Sequence, residues 1–155
     1  MNRETIIREF PVLLPLAAQW AAEQEAMILT GGVPLKAEEL EDASQLGVRE
    51  PGKVRLLKVP GIPRPADPRL TAACDAVGFL TPATRGLTVG YGIFVRQDCW
   101  GGRELIRHEL VHTAQYERFG SIESFLRCYL TECLTFGYDN SPLEIEAQES
   151  SARLG

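Results

Sequence analysis

Arg103-Glu104-Leu105-Ile106-Arg107-His108-Glu109-Leu110-Val111-His112 decides how this chain is read. The stretch follows Gly101-Gly102 and its pattern predicts a helix over 103–118. On an α-helix, residues four apart lie one turn apart on one face, so His108 and His112 can aim both imidazoles at a single ion. Glu109 falls about 100° around from His108 at ~3.6 residues per turn, on the flank of that face. It can therefore reach a metal-bound water without coordinating the metal. Zinc would lower the pKa of that water and the carboxylate would take its proton. An amphipathic helix carrying two histidines by chance is the plain alternative. Against it, the chain has no other histidine, and both sit at ligand spacing with Glu109 beside them.

Working outward, Gly86–Arg96 is β-branched and aromatic with Gly90 and Gly92 inside it, which predicts a strand or tight hairpin. Val54–Val59 predicts another strand between prolines. Asp67-Pro68 reads as an N-cap and first-turn proline for a helix to Val77, closed by Gly78. Behind the histidines, Ser121 to Phe136 predicts a helix stopped by Gly137, and Ser141-Pro142 opens a last short one. Near the start, Leu16–Leu29 predicts a helix with Pro15 at its first position and Gly31-Gly32 as its stop, and Lys36–Leu46 predicts a second. Helices, a small antiparallel or mixed sheet, then the histidine helix and two more make an α+β fold over residues 1–155, read as a single domain.

Catalytic zinc usually takes three protein ligands, so with no third histidine the candidates are carboxylates on a following helix. Ser141-Pro142-Leu143-Glu144-Ile145-Glu146-Ala147-Gln148 offers Glu144 and Glu146. Glu144 has a competing use, since Ser141, Pro142 and Glu144 occupy the positions of a capping box, which would fold the carboxylate back on the backbone. A closed site adding Cys128 and Cys133 to the histidines is disfavoured, because five residues place the thiols about 140° apart on a helix.

On its His-Glu-x-x-His run and the following Glu-x-Glu-Ala, the C-terminal third resembles the gluzincin class of zinc metallopeptidases, particularly its compact bacterial members. The resemblance implies a zincin-like fold, Zn2+ held by His108, His112 and Glu144, and Glu109 as general base. The family's usual Asp or Asn four residues after the ligand glutamate is Gln148 here.

Composition narrows the partners. Sixteen Lys and Arg against twenty-one Asp and Glu give a net charge of −5, which argues against a nucleic-acid-binding face. Phe10–Ala22, the longest apolar stretch near the start, is too short to cross a bilayer and contains two prolines, so no membrane role is expected. The start does not read as a signal peptide. Cys74, Cys99, Cys128 and Cys133 are scattered and read as reduced thiols. The expected location is cytoplasmic.

The expected activity is hydrolysis of a peptide bond in a peptide or protein substrate, in a shallow site because no second domain is present. Gly90 and Gly92 suggest that a substrate backbone approaches the strand there. Tyr91, Tyr116, Tyr129 and Tyr138 could each donate to a developing oxyanion, and Arg103 and Arg107 read as solvated or substrate-binding charges. A zinc-stabilised regulatory or interaction module without turnover is the alternative.

Overall fold

A computed structural model describes residues 1–155. The elements run α1 (Arg3–Gly31), β1 (Val33–Pro34), α2 (Ala37–Gln45), β2 (Arg55–Val59), α3 (Pro68–Val77), β3 (Gly86–Val89), β4 (Gly92–Arg96), α4 (Arg103–Phe119), α5 (Ile122–Phe136) and α6 (Pro142–Leu154). The fold is α+β, with six helices and a mixed four-stranded sheet in the order β1-β2-β4-β3. No helix is long and apolar enough to cross a membrane.

β4 organises the core. It pairs parallel with β2 in the register Leu57↔Phe94 and antiparallel with β3 in the register Leu87↔Phe94. Successive side chains leave a strand on opposite faces. Phe94 therefore packs with Leu14, Ala21 and Ile28 of α1, while Ile93 and Val95 pack with Ile106, Leu110 and Ala114 of α4. A strand sandwiched between two helices needs an unbroken apolar run, and Ile93-Phe94-Val95 is fully buried. The histidine helix thus lies on one face of the sheet, against β3 at its edge.

Two local expectations need correction. The first helix begins at Arg3 rather than Leu16, and Pro11 and Pro15 lie inside it. Each proline removes one helical hydrogen bond, but both face outward, so water can reach the carbonyls left free. The extension is held by Asn2, whose side chain accepts from Thr5 N at 2.8 Å, and by Ile6 and Leu13 packed on Leu70 of α3. The glycines of the β3–β4 hairpin also serve another purpose. Gly90 turns the chain at φ +65°, and a Cβ there would overlap the Glu25 carboxylate, which accepts from Tyr91 N at 2.8 Å. A Cβ at Gly92 would lie 2.9 Å from Ile28 Cβ. What comes close to these glycines is α1.

Candidate metal centre

α4 is set by its ends: Gly102 precedes it and Gly120, at φ +83°, closes it. One turn apart on it, His108 and His112 present their Nε2 atoms to Glu144 of α6. The carboxylate oxygens lie 3.1 Å from His108 Nε2 and 3.0 Å from His112 Nε2. Ligating atoms of all three residues fall within 4.8 Å of one another. Around a tetrahedral ion with bonds of about 2.0–2.1 Å, ligands sit about 3.3 Å apart. Two imidazole nitrogens and a carboxylate oxygen grouped this closely could hold a metal ion.

Glu144 is placed here by the start of α6. Ser141 Oγ caps the helix by accepting from Glu144 N at 3.3 Å. The glutamate side chain does not fold back onto the backbone, so only half of the capping box forms. Instead Glu144 Oε2 accepts from the Tyr129 hydroxyl of α5 at 2.6 Å. Burial would raise the Glu144 pKa, but hydrogen bonds from His108, His112 and Tyr129 hold it far below the usual carboxylate range. Conversely, burial works against the His112 imidazolium, and the Glu144 carboxylate outweighs it, raising the pKa to about 9. Glu146 points away: its Oε1 accepts from Gln115 Nε2 at 2.7 Å and Arg118 Nη2 at 2.9 Å.

Gln115, one turn beyond His112, was not singled out in the sequence. Its amide nitrogen donates to Leu143 O at 2.9 Å and to Glu146 Oε1. Both hydrogens are thereby committed, and Oε1 is left as an acceptor 2.7 Å from His112 Nδ1. With Nδ1 donating to Gln115, a neutral His112 offers its Nε2 lone pair, the form a metal ligand requires. Gln148, at the position where an orienting Asp was looked for, is exposed and makes no side-chain hydrogen bond to either histidine.

Glu109 is 95 % buried yet lies on the same cavity wall. The Thr88 hydroxyl of β3 lies 2.8 Å from Glu109 Oε1 and 2.9 Å from its carbonyl oxygen. Gly86 leaves space for the glutamate, since a Cβ there would sit 3.3 Å from Glu109 Cγ and Cδ. Thr88 is the other residue the sequence did not reveal, because only the sheet register brings it to α4.

The remaining candidates separate cleanly. Tyr91 donates to Glu117 at 2.7 Å, Tyr116 to Thr88 O at 3.3 Å, and Tyr129 to Glu144. Tyr138, after the turn at Gly137, lines the cavity and has no hydrogen-bond partner on its hydroxyl. Burial, with the Glu144 and Glu109 charges nearby, raises its pKa and keeps it protonated. Arg103 and Arg107 are not free charges: both clasp Asp42 of α2, with Nε–Oδ2 distances of 3.0 and 2.8 Å. Their hydrogen bonds pull the Asp42 pKa down to about 2. Cys128 bonds Glu132 and Cys133 packs in the core beside Tyr129. Neither joins the histidines, and all four thiols are free.

The site is not shallow. It opens on a cavity of about 1340 Å³, larger than the about 300–1,000 Å³ of most ligand pockets. Its far wall needs no second domain, because α1, α3 and α5 supply it. Set beside known proteins, the chain matches no family, no curated protein and no solved structure.

Proposed function

We propose that this chain is a zinc-dependent hydrolase of amide bonds, a small metallopeptidase of zincin-like design. His108, His112 and Glu144 would hold the ion, and Glu109 would act as general base. The observation carrying this reading is the convergence of two Nε2 atoms and a carboxylate, with an unligated glutamate on the adjoining flank of the same cavity. Zinc held there would supply Lewis acidity, polarising the scissile carbonyl and bringing the pKa of water towards neutrality.

The chain's own groups account for the rest. Glu109, anchored by Thr88 through Oε1, keeps its other oxygen to draw the proton from the attacking water and return it to the leaving nitrogen. Tyr138 is the tyrosine whose hydroxyl is free to donate to the developing oxyanion. β3 lies at the sheet edge beside α4, where an extended substrate backbone can add by main-chain hydrogen bonds. The four free thiols favour a reducing compartment, hence the cytoplasm.

The test is Glu109→Gln, assayed for zinc content and for cleavage of a peptide library. Retained zinc with cleavage reduced about 10²–10⁴-fold is the expected result. Unchanged cleavage removes Glu109 from the mechanism, and absence of zinc from wild type removes the hydrolase.

A further inference from the structure

Resting on the hydrolase reading, we infer that the substrate is an N-acyl amide whose hydrocarbon chain occupies the cavity between α1, α3 and α5. The cavity that reaches His108 and Glu109 at one side is walled on the other by Phe10, Leu13, Ala17, Leu70, Ala73 and Val77. Every lining residue contributed by α1 and α3 is apolar or a thiol, while the charged ones come from the approach to β3, α4, α6 and the turn before it. A space of about 1340 Å³ exceeds any single amino-acid side chain severalfold.

The wall chemistry chooses the occupant. A peptide entering that side would bring N–H and C=O groups to a wall whose only side-chain partners on α1 and α3 are the Trp20 indole and the Cys74 thiol, and each unpaired buried group is costly. A hydrocarbon chain brings none. At the polar side, Arg85 lines the same cavity and makes no salt bridge, which suits a carboxylate on the amine half of the substrate. The structure therefore points to an N-acyl amino acid or the acylated end of a lipopeptide. Hydrolysis breaks the amide C–N bond; water gives its oxygen to the acyl carbon and its protons to the amine, leaving a fatty acid and an amino acid.

The probes are N-acylglycines with acyl chains of 2, 8, 10, 12 and 14 carbons, titrated below micelle-forming concentrations by calorimetry. Because the cavity does not depend on the ion, both wild type and His108→Ala are used. Affinity is expected to rise about fourfold per methylene until the cavity is filled, in both proteins. Ala17→Phe and Ala73→Phe, placed in the wall away from the ligands, should weaken the 14-carbon probe at least tenfold while zinc content holds. Arg85→Ala should weaken the 12-carbon probe several-fold. Affinity independent of chain length, or no binding of the 14-carbon probe by folded protein, overturns the inference. So does an apolar hexapeptide that binds as tightly and competes with the probe. Chain-length dependence in a protein that takes up no zinc would uphold the cavity assignment while ending the hydrolase reading.

Discussion

Gln115 holds the His112 ring by its Nδ1 atom at 2.7 Å, and its own amide is fixed by Leu143 and Glu146. The tautomer of a candidate ligand is thus set through the helix that also carries Glu144. Partners of this kind change metal affinity about 10–100-fold when removed. Gln115→Ala should therefore weaken zinc binding by that factor in a chelator competition, while Gln148→Ala leaves it unchanged. Equal losses in the two variants would remove Gln115 from its role.

Tyr129 gives Glu144 a 2.6 Å hydrogen bond from a ring stacked on Phe125 at 5.3 Å between centroids. Tyr129→Phe keeps the ring and loses only the donor. The melting temperature should fall by a few degrees, as expected for a hydrogen bond to a charged group worth about 1.5–3 kcal/mol. Zinc affinity should fall several-fold. Undiminished affinity would show that the hydroxyl does not position the carboxylate.

Tyr138→Phe isolates the proposed oxyanion donor. Losing one such donor costs about 10²–10³-fold in kcat. Because the hydroxyl is needed only as negative charge develops, KM should change little. A change confined to KM would make Tyr138 a substrate contact instead.

Zinc uptake should release protons. The Glu144 carboxylate favours the His112 imidazolium against the cost of burial, so a metal must displace that proton to bind Nε2. Calorimetry of zinc binding in buffers of different ionisation enthalpy should register about one proton released per ion at pH 7. Apparent affinity should fall as pH drops from 9 to 6. Binding independent of pH across that range contradicts the assignment of His112.

Asp42 joins α2 to α4 through Arg103 and Arg107. Its folded pKa of about 2 lies below the ordinary 3.8, so its contribution is fully present above about pH 4 and disappears as pH falls through 2. The gap is worth on the order of 2 kcal/mol. Asp42→Asn should lower stability near neutrality by that order, and its stability curve should converge with wild type in acid. Parallel curves down to pH 2 would deny the carboxylate this role.

Local chemistry made most of the helices readable. Asp67-Pro68 and Gly78 mark the two ends of α3 as expected, and Ser121 and Gly137 bracket α5. Reading failed where long-range packing outweighs a local rule. Pro15 looked like a helix start, yet Ile6 and Leu13 are buried on Leu70, and that contact carries the helix through. Gly90 and Gly92 looked like room for a ligand backbone, but α1 claims the space. At the site, the i, i+4 histidines were evident, and Gln115 was within reach of the same reasoning, being three residues from His112 on one helix face. Whether Glu144 caps or turns to the histidines depends on Tyr129, and Thr88 reaches Glu109 only through the β3–β4 register. No spacing rule contains either fact.

The parallel pairing of β2 with β4 bears on how the molecule reaches its working state. Everything from the end of β2 to Gly92 must be looped out before that ladder closes, and entropy makes such distant pairings slow to form. Thr88 meets Glu109 within the contiguous stretch β3–β4–α4, which needs only the local hairpin register. The stretch from β3 through the histidine helix can assemble ahead of that ladder, so completion of the sheet should lag behind helicity in refolding.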